Sequence, residues 1–346
     1  MLIDKLRQRI DALALDLRGR TVLTEAASGA YVVTPVLAAM AGARVFAYTR
    51  ATRYGSVDEV FAGTRRLMAS HTGPALEIEL VDRLTPEIIG QADVITNSGH
   101  LRPLDRQLLQ HAKDGLVIPL MYEAWEWRAA DMDLDYVRSR GFALGATNER
   151  HPDIDVFSYL GDMAIKQILD AGLCLRHNRF VLVCNNDFGP YIARALSALC
   201  AGLAVVDKDE NRSKYGDGID WIGGFPELRI PDAYRQAEAV VFTAYPFDRP
   251  WIGAARDAQI PLERLQAAFD DPYVLRYAGD VAEDDLTRAG VRFFPAHVSS
   301  GHMGVLPSAV GPDPIIRLQA GGLKAAEALL TGRHEHRGLP IVELMP

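Results

Sequence analysis

Residues 184–189 read CNNDFG and stand where an apolar run gives way to a helical pattern. The run before them, residues 180–183, is FVLV, and the helical pattern is followed by a second apolar run that ends at Asp207. A strand, a tight turn, a helix and a second strand in this order form a βαβ unit, which binds phosphates at the start of its helix. These residue types and spacings therefore indicate the chemistry of phosphate and ribose recognition.

The turn departs from the usual glycine pattern of such units. Gly189 takes the third glycine position, which lets the helix pack closely on the strand, while Cys184 and Asn186 stand at the first two. Asn tolerates positive φ angles better than most residues, so Asn185 and Asn186 can hold a similar turn. Asp207, 18 residues beyond Gly189, is placed to accept hydrogen bonds from a pair of ribose hydroxyls. We predict either a nucleotide site of altered chemistry or the fold without that function.

Polar side chains also follow the predicted strands of the first half of the chain. Ligands of open parallel sheets bind beyond the carboxyl ends of the strands, so these side chains are candidates for a polar ligand site. Strand-end loops are polar in most proteins, and a purely structural role stays open. The group best equipped to bind a small polar substrate is Asn97, Ser98, Gly99, His100 and Glu123; Glu25, Gly29 and Glu149 hold equivalent positions after other strands.

Short Val, Ile and Leu runs alternate with longer helical patterns along nearly the whole chain. Continuous apolar strands separated by helices predict parallel sheets that are covered on both faces. The fold class is therefore α/β, with two doubly wound parallel-sheet (Rossmann-like) domains and an inter-domain cleft. We expect strands near 21–25, 44–49, 76–81, 93–96, 116–120, 142–146, 180–184, 203–207, 239–243, 274–278 and 291–294.

The two halves resemble each other when the sequence is shifted by 160 positions. Gly29 then meets Gly189, and Tyr31 meets Tyr191. Either duplication of one βαβ unit or convergence of two such units explains this similarity. A last helical stretch ends at Gly332. We expect a flavodoxin-like substrate domain from residues 1–155 with 312–346, a connecting helix over 156–174, and a Rossmann-like nucleotide-binding domain over 175–311.

Composition and charge exclude several classes of protein. The 346 residues are 49% apolar and 24% charged, as in globular proteins, and the net charge of −8 argues against a nucleic-acid-binding surface. No apolar run is long enough to span a bilayer. The N-terminal stripe is interrupted by charge, which indicates a helix rather than a signal peptide; its apolar members are Leu2, Leu6, Ile10, Leu13 and Leu17.

Three cysteines, Cys174, Cys184 and Cys200, are too few and too scattered for a disulfide framework or a zinc site. His297 and His302 are five residues apart in a loop and lack a clear carboxylate partner, so we expect no metal site. A reduced, cytoplasmic setting fits these features. A homodimer that acts on a small molecule, without nucleic-acid or membrane partners, is the expected form.

Several segments together resemble the D-2-hydroxyacid dehydrogenase family. That family's N-terminal domain contains a stretch similar to QADVITNSGHLRPLDRQLLQHAKDGLVIPL, and its inter-domain helix ends a stretch similar to MDLDYVRSRGFALGATNERHPDIDVFSYLGDMAIKQIL. Its catalytic arginine, carboxylate and histidine lie in segments similar to WIGAARDAQIPLERLQAAF, YAGDVAEDDL and FFPAHVSSGHMG. The resemblance spans residues 90–332 and departs from the family in the broken glycine turn and at Asp257, where the family has a glycine.

The resemblance implies an oxidoreductase that uses a nicotinamide dinucleotide (NAD) on a small carboxylate-bearing substrate. Arg256 would hold the substrate carboxylate, and His297 would exchange the hydroxyl proton as general acid and base. Glu283, or alternatively Asp285, would orient the histidine. The cofactor would contact Asn185, Asn186, Gly189 and Asp207.

Two other functions stay open on the same scaffold. The stretch VLTEAASGAYVVTPVLAAMAGARVFAYTR resembles the first motif of Rossmann-type methyltransferases, although Arg50 stands where the acid that binds the ribose of S-adenosylmethionine is expected. A non-redox enzyme, such as an S-adenosylmethionine-dependent methyltransferase, is therefore one alternative. A non-catalytic nucleotide-binding protein is the other.

Overall fold

The computed structural model describes residues 2–254 and 258–345 of the chain. Two compact units are formed, one by residues 1–156 with 311–346 and the other by residues 157–310. Each unit has its own large sheet, and apolar side chains of the same unit pack against it. Among the described residues, no helix combines the length and the apolar character that a membrane span needs.

The bounds of the helices and strands follow in chain order. The helices are α1 Leu2–Leu13, α2 Val33–Met40, α3 Val57–Ala69, α4 Pro86–Gln91, α5 Arg106–Leu109, α6 Leu134–Ser139, α7 Tyr159–Asp170, α8 Gly189–Ser197, α9 Leu262–Ala268, α10 Glu283–Arg288 and α11 Asp313–Thr331. The strands are β1 Thr21–Glu25, β2 Arg44–Tyr48, β3 Ile78–Val81, β4 Val94–Ile95, β5 Val117–Leu120, β6 Ala143–Thr147, β7 Arg179–Cys184, β8 Gly202–Val206, β9 Asp220–Trp221, β10 Ala239–Thr243, β11 Pro250–Gly253, β12 Ile260–Pro261, β13 Tyr273–Ala278, β14 Asp280–Val281, β15 Arg292–Phe294, β16 Glu335–His336, β17 Leu339–Pro340 and β18 Val342–Leu344.

The sheet of the first unit runs in the order β18-β6-β5-β4-β1-β2-β3. Its neighbours pair in parallel except for β18, which runs antiparallel to β6 along the edge. From β3 to β6 this is the common doubly wound order, in which the direction of winding reverses between β1 and β4. The crevice beyond the carboxyl ends of β1 and β4 is therefore the expected ligand position of this unit.

The sheet of the second unit runs in the order β15-β13-β10-β7-β8-β9, with parallel pairing throughout. It has the same doubly wound order, and its switch point lies between β7 and β10. A small parallel sheet, β12-β11-β14, lies in the same unit. The predicted fold class, two Rossmann-like α/β units, is confirmed.

Successive residues along the strands of the first sheet pack alternately into two separate apolar cores. Val22 and Val45 pack with residues of α1, α2 and α11, whereas Leu23 and Phe46 pack in the other core with residues near α4 to α6. Successive side chains of a strand point to opposite faces, so a sheet covered on both faces needs apolar residues at every position. Each fully buried side chain of this size stabilises the fold by about 1.5–3 kcal/mol, which explains the continuous apolar runs.

Local sequence signals set the ends of several helices. Ser56 and Glu59 form a capping box at the start of α3, with Ser56 N donating to Glu59 Oε2 at 2.8 Å. Gly332, at φ +68°, ends α11 in the left-handed conformation that glycine adopts at least cost, so the predicted end of this helix is confirmed. The N-terminal helix ends at Leu13, and Leu17 of the predicted stripe is buried beyond the helix.

Each strand predicted from the sequence coincides with an observed strand to within two residues. The prediction omits β9, β11, β12, β14 and β16 to β18. Most of these strands are two residues long and lack an apolar run, so they form only because the folded chain brings another backbone segment next to them. The doubly wound framework was therefore readable from the sequence, and the short additions to it were not.

Candidate functional site

Two asparagine side chains hold the turn between β7 and α8. Asn186 Nδ2 donates to Thr243 Oγ1 at 3.1 Å, and Asn186 Oδ1 accepts from the Phe188 amide at 3.1 Å. Asn185 exchanges two hydrogen bonds with the backbone of Tyr245, at 3.1 and 2.8 Å. Side-chain amides thus stabilise a turn that glycines form in the usual pattern, and they tie it to the segment after β10.

Gly189 begins α8 against the end of β7. A methyl group added to it would overlap the Tyr215 hydroxyl and lie 2.6 Å from Cys184 Sγ. Its φ angle is not among the positive ones, so this glycine serves close packing rather than a left-handed turn. Close packing of helix on strand is the role that the third glycine of a dinucleotide-binding unit has.

Asp207, the residue after β8, is fully buried and hydrogen-bonded within the protein. Its Oδ2 accepts from the Tyr215 hydroxyl at 2.6 Å, and its Oδ1 accepts from Asn211 Nδ2 at 3.0 Å and from the Lys208 amide at 2.6 Å. Cys184 Sγ lies 3.0 Å from the same tyrosine hydroxyl. Burial, and then the charge of Asp207, raise the pKa of the Cys184 thiol well above its usual value. A ribose could reach Asp207 only if Tyr215 moved, and the predicted ribose role stays a prediction.

His297 and Glu283 form a pair in the second unit. His297 follows β15, Glu283 is the first residue of α10, and His297 Nδ1 lies 3.3 Å from Glu283 Oε2. The histidine side chain is 93% exposed, whereas that of the glutamate is 26% exposed. A carboxylate at Nδ1 fixes the ring orientation and leaves Nε2 as the nitrogen for proton exchange. The structure therefore brings together two of the three predicted catalytic residues.

Arg276, which the sequence did not single out, holds Glu283 from the interior. Its Nη1 donates to Glu283 Oε1 at 2.9 Å and to the Val298 carbonyl at 3.3 Å, and its Nη2 pairs with Asp280. Its side chain is 2% exposed, and Nε donates to the Gly279 carbonyl at 3.1 Å. A lone arginine in the apolar strand YVLRYA was the available signal, because a buried charge must find partners.

Arg256 lies outside the described residues, and its predicted role stays a prediction. Just before it, the Ala254 amide donates to Asp285 Oδ2 at 2.8 Å, and Asp285 also pairs with an arginine of α10. The amide, followed by the arginine, lowers the pKa of Asp285. Of the two alternative carboxylates, Glu283 is therefore the one that contacts the histidine.

His302 does not join His297 in a metal-binding arrangement. Its Nδ1 donates to the Ser300 carbonyl at 3.0 Å. Within residues 2–254 and 258–345, no group of three or more His, Cys, Asp and Glu side chains is placed to hold a metal ion.

Most of the predicted substrate residues of the first unit gather at the switch point between β1 and β4. Glu25 Oε2 accepts from the His100 amide at 3.1 Å. A methyl group added to Gly99 would lie 3.1 Å from the same oxygen, so a larger residue would push this carboxyl aside. Asn97, fully buried, donates from Nδ2 to the Tyr122 hydroxyl at 2.9 Å. The structure thus joins the end of β1 to the segment after β4 through polar contacts.

Ser98 and Glu123 are engaged with their own neighbours. Ser98 Oγ lies 2.8 Å from Thr96 Oγ1 within a buried hydroxyl chain. Arg150 Nε lies 3.3 Å from Glu123 Oε1, and Trp125 Nε1 donates to Glu123 Oε2 at 2.6 Å. Burial raises the pKa of Glu123, and these donors oppose the rise. Glu123 is therefore an ionic partner within the protein.

Three further carboxyl groups interact electrostatically with Tyr31. Burial raises the pKa of Glu25, Glu126 and Glu149; that of Glu126 reaches about 7, and the neighbouring Glu126 and Glu123 charges raise that of Glu149 further. Burial, and then the charges of Glu25, Glu149 and Glu126, raise the pKa of Tyr31 to about 12. These side chains consequently interact as one cluster at the carboxyl edge of the sheet. The sequence placed Glu25 and Glu149 at this edge but missed Glu126.

A pocket of about 710 Å³ opens beside the turn that follows β1. Residues of α1 and α3 line it together with Ser28 and Gly29. None of the predicted substrate residues is among those that line it. This pocket and the polar switch point are therefore separate features of the first unit.

Comparison with known proteins shows a shared fold at low sequence identity. A dipicolinate synthase polypeptide from Bacillus subtilis is similar over 92% of this chain and 99% of its own length, at 12% identity and a TM-score of 0.58. The corresponding dipicolinate synthase polypeptide from Bacillus halodurans is similar over 88% and 99%, at 12% identity and a TM-score of 0.53.

A putative D-isomer specific 2-hydroxyacid dehydrogenase, NAD-binding, from Polaromonas sp. JS6 66 is similar over 87% of this chain and 98% of its own, at 15% identity and a TM-score of 0.46. No protein-family model and no curated protein sequence matches the chain. The likeness to the two dipicolinate synthase polypeptides extends over both units and is a likeness of fold.

Proposed function

We propose that the chain is an oxidoreductase that uses a nicotinamide dinucleotide on a small, carboxylate-bearing substrate. The observation that carries the proposal is the His297–Glu283 pair, backed from the interior by Arg276. Hydride transfer at a hydroxyl-bearing carbon needs a group that takes or returns the hydroxyl proton, and an exposed histidine oriented by a carboxylate suits that task. A cytoplasmic homodimer is the expected form of this enzyme.

His297 would exchange the proton through Nε2, because Nδ1 faces Glu283. Glu283 would keep the ring in one orientation, and Arg276 would keep the glutamate in place. The polar residues at the switch point of the first unit, Asn97 to His100 together with Glu123, are the proposed contacts of the substrate. Arg256 is proposed to hold the substrate carboxylate by two parallel hydrogen bonds.

NAD would supply the hydride acceptor or donor when bound. In the second unit, the turn at Asn185 and Asn186 would hold its pyrophosphate, and Asp207 would hold the adenosine ribose. The doubly wound order and the close packing at Gly189 fit such a ligand. The ribose would have to displace the Tyr215 hydroxyl, which is hydrogen-bonded to Asp207.

Titration calorimetry with NAD⁺, NADH, NADP⁺ and S-adenosylmethionine tests the cofactor. We expect saturable NAD(H) binding that Asp207→Asn weakens at least tenfold and that Asp217→Asn, in an exposed part of the same segment, leaves unchanged. Tyr215→Phe removes the hydroxyl that competes for Asp207, and it is expected to tighten NAD binding. The proposal is refuted if the protein does not bind NAD⁺, NADH or NADP⁺ when these are present at millimolar concentration. Binding of S-adenosylmethionine alone would favour the methyltransferase alternative.

The chemistry is tested by following NADH consumption with a panel of small 2-oxo acids. His297→Asn is expected to lower turnover by roughly 10²–10⁴-fold while NAD binding is retained. His302→Asn, five residues further along the same segment, serves as the matched control and should leave turnover unchanged. Equal turnover of the His297→Asn variant and the parent protein would show that the histidine is not the acid and base.

A further inference from the structure

The segment that follows His297 has little backbone structure of its own. Residues 297–299 lie in no helix or strand, and residues 300–301 form a turn. The His297 side chain is 93% exposed, so packing does little to hold the ring. Apart from the Glu283 carboxylate, the position of the ring therefore depends on how the backbone of this segment is held.

Two carboxylates attach the segment to the interior of the second unit. Glu283 Oε1 accepts from the Val298 amide at 3.4 Å, at the start of the segment. Asp280 holds its other end, because Oδ2 accepts from the Ser300 hydroxyl and the Gly301 amide lies 3.3 Å from each carboxyl oxygen. Hydrogen bonds to ionised carboxylates are among the strong ones. The backbone after the histidine is thus fixed at both ends.

Arg276 joins the two carboxylates. Its Nη1 donates to Glu283, its Nη2 pairs with Asp280, and the Asp280 side chain is 9% exposed. Its Nε donates to the carbonyl of Gly279 at 3.1 Å. Gly279 has a φ of +91°, and a methyl group added to it would lie 2.6 Å from the Ala244 carbonyl oxygen, so this turn needs glycine. One buried arginine and one sharp turn therefore set the relative position of the two attachment points.

The chain beyond the turn lies directly against β13. The Gly304 amide donates to the Tyr277 carbonyl at 2.8 Å. A methyl group added to Gly304 would lie 1.9 Å from the Arg276 carbonyl oxygen, so the two backbones approach as closely as glycine allows. Ser300 consequently lies in the middle of a held stretch, residues 298–304.

The Ser300 hydroxyl can be removed without opening the interior. Ser300 is exposed, so alanine at this position leaves no buried cavity. Asp280 keeps its pair with Arg276 and the amide of Gly301. The substitution therefore deletes one contact of the segment and leaves the buried carboxylate with partners.

We propose that Ser300, acting through Asp280, is a positioning residue for His297. The hydroxyl would fix the backbone after the histidine, so that Nδ1 stays at Glu283 and Nε2 keeps one direction. A displacement of about 1 Å in a catalytic group can lower turnover by about 10²-fold. The effect on turnover rests on the proposed oxidoreductase function, whereas the attachment itself can be measured without any activity.

Hydrogen–deuterium exchange of the full-length protein, followed by mass spectrometry, measures the attachment. Ser300→Ala should speed exchange in peptides that cover residues 298–304 by roughly 2–10-fold, as expected for the loss of one hydrogen bond. Ser300→Thr keeps a hydroxyl and should restore the parent rate. Ser299→Ala, at the exposed serine one residue earlier, is the matched control and should leave exchange unchanged. Equal exchange in Ser300→Ala and the parent protein would overturn the proposal.

NADH consumption with the panel of 2-oxo acids shows whether the attachment acts through the histidine. Ser300→Ala should lower kcat by about 10–100-fold, with NAD binding and the melting temperature unchanged, and Ser300→Thr should restore most of the loss. In a His297→Asn background, Ser300→Ala should lower kcat no further, because residues that act as a unit are not additive. If the two losses multiply, Ser300 has a merely structural role and the proposal is wrong.

Failure of this inference differs from failure of the proposed function. A parent protein that consumes no NADH refutes the oxidoreductase, and with it any effect of Ser300 on catalysis. A parent protein that turns over and is unaffected by Ser300→Ala refutes the positioning role alone.

Discussion

Replacing Glu126 with glutamine should make the protein more stable at pH 8 and leave its stability nearly unchanged at pH 4. Burial, and then the Glu123 charge, raise the pKa of Glu126 from 4.5 to about 7 in the folded chain. Between these two values the folded protein keeps a proton that the unfolded chain has lost. Stability therefore falls as pH rises from 4.5 towards 7 and stays at its lower level above that range.

The size of the effect follows from the shift in pKa. One pKa unit corresponds to 1.36 kcal/mol, so the ionised carboxyl costs about 3 kcal/mol at most at pH 8. The cost belongs to a coupled set that includes Glu149, whose own pKa is raised by the Glu126 charge. Glutamine keeps the size of the side chain and cannot ionise. The variant should consequently lose this pH dependence.

Urea denaturation at several pH values between 4 and 8 measures the difference directly. The gain in free energy of unfolding of Glu126→Gln over the parent should grow from near zero at pH 4 to about 2–3 kcal/mol at pH 8. Glu77→Gln, which alters an exposed carboxylate, should show no such trend. A difference that is constant with pH, or that shrinks as pH rises, would refute the claim that Glu126 is a neutral acid in the folded protein below pH 7.

Two further changes probe the second unit. Gly189→Ala places a methyl group into the Tyr215 hydroxyl and should destabilise the protein by about 1–3 kcal/mol. Adding Tyr215→Phe should recover part of this loss, as measured by urea denaturation. If the effects of the two substitutions are strictly additive, the overlap is refuted. Arg276→Gln leaves the carboxylate of Glu283 without its buried cation and should lower the free energy of unfolding by about 3–5 kcal/mol. Arg292→Gln, at an exposed site, should lower it by less than about 1 kcal/mol. Equal decreases for the two variants would contradict the assigned role of Arg276.

The architecture was predictable because parallel strands covered on both faces need uninterrupted apolar runs. FVLV at 180–183 can be little else than such a strand when a glycine turn and a helical pattern follow it. The two-residue strands carry no such signal. β14, for example, pairs with β11 through Asp280 and Val281 alone, and only the folded chain brings these backbones together.

The candidate site was predictable only in part. The His297–Glu283 contact was expected from the family resemblance, and the structure shows it. Arg276 was not, because its partners follow it by four and seven residues beyond a turn at Gly279, and a strand pattern does not reveal that such a turn brings them back. The contact between Tyr215 and Asp207 was hidden for the same reason, since it closes a loop between β8 and β9.

The two glycines that align when the sequence is shifted by 160 positions have different structural roles. Gly29 has a φ of +63° and nothing within 4 Å of where its side chain would be, so it is needed for a left-handed backbone. Gly189 is needed instead for contact with the Tyr215 hydroxyl and Cys184. The Tyr215 hydroxyl lies against Gly189 and satisfies Asp207 in the second unit, whereas the Asn97 carbonyl at the switch point of the first unit has no hydrogen-bond partner among the described residues. The two units therefore share a strand order but differ at the ends of their strands. A ligand that binds Asp207 must displace the Tyr215 hydroxyl, whereas a ligand at the switch point of the first unit would meet the Asn97 carbonyl, which has no partner among the described residues.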